Sequence, residues 1–414
     1  MRILLMKPPF ARLLSNNVYA VYPLGLMYVA GMLKQRGHEV VGFHDDVSNI
    51  TPIPRKSAHF QNMHVPLPSE EILQPLIKVM DDFQPDVVGV SYCTADRGSA
   101  HAVAELVKQR GIRTVAGGVH PSLLPEDAAT VFDAVVIGEG DDQLAASVFE
   151  YHDVYQVKVP AIANLDNIMP DREGVIGWQN YTTFLRGMVQ TQRGCPYNCG
   201  FCAAPKVFGR RVRMRDPGLV REEVESLGVT EGRIIDDSFG VNRKHGLAVC
   251  RELAKTDYTW VCDVALQDVD DERIDAWVEG GCTCINIGIE SAVERWQELS
   301  GKRIKPGYPE KVCRDAKSKG LNVVYYFMIG YPGETYSELK QTLAYAKHLK
   351  DLGAKPCISI MTPYPMTEIW KMVHGSETEW DWSSFIHQSD RMGFADCTVD
   401  QWQEVIMEAN KVNG

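Results

Sequence analysis

The alternation of short apolar runs with helical stretches is the feature that most restricts the fold of this chain. In residues 1–150, five runs have strand length and lack polar alternation, as strands covered on both faces do. Single helices separate them, which indicates βαβ units and a parallel sheet. We therefore expect an α/β fold that begins with a doubly wound five-stranded parallel sheet. Its strands are predicted at 2–7, 39–44, 86–93, 113–117 and 134–138, and its helices include 24–36, 70–83 and 99–110, of which the first and last end in a basic residue followed by Gly37 or Gly111.

The alternation resumes after residue 187, and six strand–helix repeats favour a partial (β/α)6 barrel of the TIM type, whose site lies at the strand carboxyl ends. A stretch without sustained periodicity connects the two parts, and a tail containing tryptophans is expected to form a short C-terminal cap. A stretch rich in Pro, Ser and His at 48–68 is predicted to be a surface insertion. The predicted domains are 1–150, a linker at 151–186, the barrel at 187–365 and the cap at 366–414, with barrel strands at 188–192, 233–236, 259–265, 284–289, 322–329 and 356–361.

Composition and charge narrow the function classes. The chain has 43 Lys and Arg against 54 Asp and Glu, a net charge of −11, which argues against a nucleic-acid partner because the phosphate backbone attracts basic faces. No apolar stretch approaches the roughly 18 residues that span a bilayer. The first apolar run is too short for a signal peptide, so the 11 cysteines indicate a reducing compartment. We expect a cytoplasmic protein with neither a membrane nor a nucleic-acid partner.

Three cysteines, Cys195, Cys199 and Cys202, lie close together in a loop that follows a predicted strand. Three thiolates can hold three irons of a cubane cluster and leave the fourth iron to an exogenous ligand. Structural zinc is the alternative, but it takes four closed ligands, and no further close Cys or His pair supplies the missing one. The spacing therefore favours an iron–sulfur site.

This loop resembles the signature of the radical S-adenosylmethionine (SAM) enzymes, and the segments 236–239, 288–291, 330–335 and 362–365 resemble further motifs of that superfamily in the same order. The resemblance implies a [4Fe-4S] cluster on the three cysteines, with SAM on its open iron. It also implies a one-electron reductant, such as flavodoxin or ferredoxin, whose electron cleaves a carbon–sulfur bond of SAM. The residues that it implies for SAM binding are Phe201, Asp236, Asp237, Ser238, Glu290, Ser291, Gly330 and Glu334.

Three segments at predicted strand ends of the first domain, 91–93, 117–121 and 138–141, carry small and polar residues. A doubly wound sheet binds ligands at this edge, and adjacent glycines let the backbone approach a bulky ligand. The pattern resembles the flavodoxin-like B12-binding domain of cobalamin-dependent radical SAM methylases, although the Asp-x-His-x-x-Gly motif that supplies a cobalt ligand elsewhere is absent. The alternative is a domain that keeps the fold without the cofactor. The residues implied for cobalamin binding are Ser91, Gly117, Gly118, His120, Gly138 and Glu139.

A basic run that includes Arg211 and Arg213 follows the cysteine loop. Guanidinium groups suit carboxylates and phosphates, which predicts an anion site for SAM or for a substrate. The alternative is a solvated loop that is balanced by nearby glutamates.

Together these observations predict a radical SAM enzyme that methylates a small molecule in biosynthesis, with cobalamin relaying the methyl group. One alternative is a cobalamin-independent radical SAM enzyme with a vestigial first domain, which catalyses rearrangement, ring formation or 3-amino-3-carboxypropyl transfer. The short tail after Pro365 keeps that alternative open. A non-enzymatic iron–sulfur or cobalamin-binding sensor is the third, and it would leave the SAM motifs without purpose. No motif identifies the substrate or a catalytic acid or base.

Overall fold

A computed structural model describes residues 1–9, 22–44, 67–167, 169–302, 304–373 and 394–414. The predicted insertion at 48–68 lies outside the described residues, apart from its last two positions. Two parallel sheets and a two-stranded antiparallel ribbon are present, which confirms the α/β class. Within the ranges described, no helix is both long and apolar enough to cross a bilayer.

Among the described residues, the first sheet contains six parallel strands, one more than predicted. Its strands are β1 (Arg2–Lys7), β2 (Glu39–His44), β3 (Val87–Ser91), β4 (Arg113–Gly117), β5 (Ala134–Ile137) and β6 (Gln156–Lys158). Its helices are α1 (Leu24–Gln35), α2 (Glu70–Phe83), α3 (Arg97–Gln109), α4 (Val119–Leu123), α5 (Pro125–Ala128) and α6 (Ser147–Glu150). The order β2-β1-β3-β4-β5-β6 reverses direction between β1 and β3, as in flavodoxin-like folds.

The sixth strand explains why the predicted count of five was wrong. It has three residues with at most partial burial, so it lacks the apolar run that marked the other strands. Its pairing comes from backbone hydrogen bonds of Val135 to Tyr155 and of Val159 to Ile137. The first sheet thus extends into the segment that was predicted to be a linker.

Both faces of the first sheet are covered, which confirms the doubly wound arrangement. Successive side chains of a strand point to opposite faces. In β1, Ile3 and Leu5 therefore join one apolar core, with Met27 and Leu33 of α1, whereas Leu4 joins the core on the other face.

The second sheet contains five parallel strands in the order β9 to β13. The ribbon is β7 (Gln192–Arg193) with β8 (Arg213–Met214), and the sheet is β9 (Glu231–Ile234), β10 (Thr259–Val264), β11 (Cys282–Glu290), β12 (Asn322–Ile329) and β13 (Lys355–Ile360). The helices are α7 (Thr183–Arg186), α8 (Ala204–Val207), α9 (Pro217–Ser226), α10 (Arg243–Leu253), α11 (Asp271–Glu279), α12 (Glu294–Leu299), α13 (Tyr308–Ser318), α14 (Tyr336–Asp351), α15 (Glu368–Val373) and α16 (Val399–Asn413).

The predicted first barrel strand, 188–192, is reduced to a single parallel bridge between Val189 and Ile234. The next rung of a parallel ladder would run from the Thr191 N–H to the Ile235 carbonyl. That N–H instead donates to the carboxylate of Asp236 over 2.7 Å, and the Gln192 N–H donates to the same oxygen over 3.1 Å. The Asp236 side chain thus replaces the backbone ladder at the first barrel position.

The described end of the tail packs against the barrel. Trp402, Val405 and Ala409 on one face of α16 are buried in the core that also contains Leu343 of α14. At the end of the helix, the Asn413 side chain accepts from the Ile358 N–H and donates to its carbonyl, over 2.7 and 3.1 Å. Because β13 is the edge of the sheet, this pairing satisfies backbone groups that an exposed edge leaves open.

Candidate active site

The cysteine loop connects the ribbon to α8, and close backbone packing sets its path. Gly194 has a left-handed φ of +91°, and a Cβ there would lie 2.4 Å from the Arg211 carbonyl oxygen. A Cβ on Gly200 would lie equally close, at 2.4 Å, to the Leu299 carbonyl oxygen at the end of α12. The Gly200 carbonyl accepts from the Ile369 N–H in α15 over 3.1 Å. Only glycine fits at these two positions, which fix the loop between two helices.

The three thiols are partly exposed on this loop. Burial raises the pKa of each thiol, to about 12 for Cys202, so the thiolates form when a cation compensates their charge. Among the described residues, no three His, Cys, Asp or Glu side chains converge on a single ion. A cluster does not require such convergence, because each thiolate binds a different iron. The number, loop position and partial exposure of the thiols therefore fit a cubane cluster.

An aromatic wall lies beside the cysteine loop. Phe201 packs against a buried cluster that contains Trp296 and Tyr331, whose rings stack at 5.0 Å with an angle of 9°. One oxygen of Glu334 accepts the N–H groups of Gly330 and Tyr331, over 2.7 and 3.0 Å. Burial raises the pKa of Glu334 to about 7. This wall brings together Phe201, Gly330 and Glu334, three of the residues predicted to bind SAM.

The end of β11 carries backbone strain. Glu290 is buried with a φ of +70°, a region that residues with a side chain rarely adopt, and the pairing of β11 with β12 shifts beside it. Its carboxylate pairs with the Lys302 ammonium over 3.3 Å. The next residue, Ser291, lies under α14, where its hydroxyl is 3.1 Å from the hydroxyl of Thr342. The Glu290 carboxylate thus lies at the strand end, where the sequence predicted a SAM contact, and Lys302 pairs with it there.

The two aspartates that follow β9 make different contacts. Asp236 holds the backbone of the first barrel position, and burial raises its pKa to about 7. Asp237 accepts the Gly194 N–H over 3.1 Å and so contacts the cysteine loop directly. Within the described part of the chain, the Ser238 hydroxyl and the second oxygen of Glu334 are buried without a hydrogen-bond partner. These two orphaned polar atoms, beside the aromatic wall and the acidic segment, fit a polar ligand such as SAM.

At the carboxyl edge of the first sheet, the glycines lie where the sequence predicted a cofactor. Gly118 has a φ of +96°, and a Cβ there would lie 2.9 Å from the Ser91 hydroxyl and from backbone atoms of Tyr92. Gly138 has a φ of +99° and a similar approach to the Val159 carbonyl oxygen. A Cβ on Gly117, by contrast, would meet no atom within 4 Å. An open glycine flanked by two tightly packed ones forms a cradle that fits a bulky ligand such as cobalamin.

His120 and Glu139 have other partners in the structure. His120 is fully buried, with Nδ1 3.2 Å from the Thr94 hydroxyl and Nε2 3.0 Å from Asp127, and burial lowers its pKa. Glu139 is buried against two guanidinium groups, those of Arg193 and Arg213. Arg213 also donates to the carbonyls of Ile162 and Phe208, so both of its terminal nitrogens bond protein groups, whereas Arg211 is exposed.

Several polar residues that the sequence did not single out belong to the site. Lys302 is the cation beside Glu290, and Arg193 and Asp141 form a buried pair next to the cysteine loop. A layer of polar side chains also crosses the barrel interior on four adjacent strands. Its members Arg233, Asp263, Asn286 and Tyr326 point away from the helix-covered face and are linked by hydrogen bonds. Their partners lie on different strands, so no local pattern in the sequence indicated them.

Two family models match the chain. Residues 189–346 match the radical SAM superfamily, and residues 13–148 match the B12-binding domain. An uncharacterized methyltransferase, PH0819 of Pyrococcus horikoshii, is 29% identical over 403 residues, which cover 90% of this chain and 83% of that protein. The bacteriochlorophyllide d C-8(2)-methyltransferase of Chlorobaculum tepidum is 26% identical, over 74% of this chain and 73% of its own length.

A solved structure shares the fold of both parts. The radical SAM methyltransferase TsrM from Kitasatospora setae, with cobalamin and a [4Fe-4S] cluster bound, superposes with a TM-score of 0.69 over 90% of this chain and 74% of its own. The sequences are 18% identical. The likeness confirms the predicted combination of a flavodoxin-like domain and a partial barrel.

Proposed function

Because this chain belongs to the radical SAM superfamily and joins its barrel to a B12-binding domain, we propose that it is a cobalamin-dependent methyltransferase acting on a small molecule in biosynthesis. One observation carries the proposal. The glycine cradle of the first sheet and the cysteine loop of the barrel meet through the contacts of Glu139 with Arg193 and Arg213. The two proposed cofactor sites thus lie next to each other, as transfer of a group between them requires.

The cofactors are assigned to residues by the fit described above. Cys195, Cys199 and Cys202 hold the cluster, and the cradle at Gly117 and Gly118 receives cobalamin. When bound, the cluster supplies the electron that cleaves SAM, and cobalamin supplies a carrier for its methyl group. The protein positions both groups and excludes water from them.

The residues around the cysteine loop bind and orient SAM. Phe201 and the stacked rings behind it offer an apolar surface, while Ser238 and Glu334 each present an unpaired polar atom. Glu334, with a pKa of about 7, exchanges between a carboxylic acid that donates and a carboxylate that accepts within the physiological range. Lys302 pairs with the Glu290 carboxylate and so offsets its negative charge near the thiolates.

The small-molecule substrate is placed in the barrel interior, next to the polar layer of Arg233, Asp263, Asn286 and Tyr326. Arg233 pairs with Asp263, and Asn286 donates to the same carboxylate over 3.0 Å. Such a balanced layer offers hydrogen bonds without net charge, which suits an uncharged polar group better than a phosphate. A one-electron reductant such as flavodoxin or ferredoxin is proposed as the protein partner, since cleavage of SAM consumes an electron.

Anaerobic reconstitution tests the proposal. The full chain, loaded with iron, sulfide and hydroxocobalamin, is expected to bind about one cobalamin and to convert SAM under a strong reductant. Mass spectrometry identifies the products: adenosylhomocysteine reports methyl transfer, 5′-deoxyadenosine reports radical cleavage, and methylthioadenosine reports aminocarboxypropyl transfer. The matched control is Cys313→Ala, which removes a buried thiol of α13 on the helix-covered side of the sheet and should change none of these.

Each other outcome selects one of the alternatives. If the protein forms 5′-deoxyadenosine but binds no cobalamin, it is a cobalamin-independent radical SAM enzyme and the proposal is wrong. If the protein has a full cluster and still does not convert SAM, the remaining hypothesis is a non-enzymatic iron–sulfur or cobalamin-binding sensor.

A further inference from the structure

Four charged side chains are buried together where the first sheet meets the cysteine loop. Arg193 donates to both carboxylate oxygens of Asp141, over 2.9 and 2.7 Å, and to Glu139 over 3.1 Å. Arg213 donates to Glu139 over 2.9 Å. All four residues are more than nine-tenths buried. Two positive and two negative charges balance, as charges removed from water must.

These four residues, here called the arginine clamp, connect two parts of the proposed site. Glu139 and Asp141 follow β5, directly after Gly138 of the glycine cradle. Arg193 is the second residue before Cys195 and pairs with Arg213 across the ribbon of β7 and β8. A rigid ion pair therefore reaches from the proposed cobalamin edge to the base of the cysteine loop.

We propose that the arginine clamp positions the cysteine loop against the B12-binding domain, so that Arg193 is a positioning residue for the distance between cluster and cobalamin. This inference rests on the proposed function. It explains why Glu139 and Arg213 point at each other rather than at a cofactor or an anion.

The geometry indicates positioning rather than simple charge balance. A guanidinium that donates to both oxygens of a carboxylate is held in the plane of that carboxylate, whereas a lysine ammonium has no such fixed orientation. A third contact orients Arg193 further, because its Nε donates to the Gln190 side chain over 2.7 Å. Its guanidinium carbon also lies 5.2 Å from the centre of the Tyr28 ring in α1. Arg193 is thus held by residues of both domains.

Variants of the full chain distinguish a loss of the arginine clamp from a general loss of stability. Asp141→Asn with Arg193→Gln removes one charge of each sign, so that no buried charge is left unpaired. Arg193→Lys keeps the charge and loses the planar fork. The matched control is Arg36→Gln with Glu150→Gln, which removes a two-point ion pair lying wholly within the first domain.

Two measurements report the position of the loop. Hydrogen exchange of residues 193–202 is measured on the cluster-loaded protein without cobalamin. We expect exchange about tenfold faster in D141N/R193Q, an intermediate rate in R193K, and wild-type rates in the control and in strands β10–β12 of every variant. Electron paramagnetic resonance is then measured with cob(II)alamin and the reduced cluster both present. We expect the magnetic interaction between them to weaken in D141N/R193Q at unchanged occupancy of both.

Either of the two measurements can refute the proposed role of the arginine clamp. Wild-type exchange in residues 193–202 of a folded D141N/R193Q protein overturns the clamp, as does an unchanged magnetic interaction in that protein. If the double variant does not fold, R193K decides on the same two readouts. A wild-type protein that takes up no cobalamin refutes the proposed function instead, and the exchange measurement still tests whether the clamp holds the loop.

Discussion

The carboxylate of Asp236 offers a sharp test of how the barrel is built. It accepts hydrogen bonds from the Thr191 and Gln192 N–H groups on one oxygen, and the other oxygen bonds the Thr191 hydroxyl. In an Asp236→Asn variant the remaining oxygen keeps both amide bonds, and the new NH2 donates to the hydroxyl, which is also an acceptor. The variant therefore keeps the geometry and removes only the charge.

Removing that charge changes how stability depends on pH. Burial raises the pKa of Asp236 from 3.8 to about 7. Between these values the folded protein holds a proton that the unfolded chain has released, so its free energy of unfolding falls as pH rises. From pH 5 to pH 7 this corresponds to a loss of about 2 kcal/mol, because the folded group is half ionised at pH 7. Asp236→Asn should avoid the loss, so its stability relative to the wild type should grow by that amount.

The effect is measured by urea unfolding at pH 5, 6, 7 and 8. Tryptophan fluorescence reports the unfolding, since Trp260 and Trp277 are buried in the barrel core. Asp236→Ala is the comparison variant. It also lacks the charge, but it leaves two backbone N–H groups and a hydroxyl unpaired, at a cost of about 3 kcal/mol or more at every pH. The two variants should give parallel curves with a constant offset. A constant difference between wild type and D236N from pH 5 to 8 refutes the argument.

Three further changes test other parts of the structure. Cys199→Ala should lose bound iron and SAM turnover together, and full iron content in a stable variant would contradict the ligand assignment. Gly118→Ala should cost more than about 2 kcal/mol and abolish cobalamin uptake, whereas Gly37→Ala, with a similar φ but open space, should cost only about 1 kcal/mol; equal thermal shifts would count against the cradle. Asn413→Ala leaves both backbone groups of Ile358 unbonded, at about 1–3 kcal/mol, and an unchanged urea midpoint would refute that role.

The regular elements could be predicted because their signals are local. Apolar runs marked the strands of both sheets, and the glycines after two helix ends, Gly37 and Gly111, have the left-handed φ values that such ends require. The cysteine loop was equally visible, because its spacing lies within a single segment. What the pattern missed is short or polar, such as β6, which has three residues and little burial.

The pairing of charges could not be predicted. Arg213 belonged to a basic run that indicated an anion site, yet its partner Glu139 lies 74 residues earlier in the chain. In the same way, both ring nitrogens of His120 face protein groups that only the fold brings near. A charge in the sequence shows what a residue can bind, and tertiary contacts decide what it does bind. The roles of individual residues in SAM and cobalamin binding, and the domain boundaries, remain predictions.

The packing of α16 against the edge strand β13 has a consequence for synthesis on the ribosome. Residues 399–413 emerge well after β13 itself, so for that interval the nascent barrel presents an unpaired strand to its surroundings. Unpaired edges recruit other chains, which makes this interval the one in which aggregation competes with folding. Slow docking of α16 would prolong it, and chaperone capture of newly made chains should peak before that helix is in place.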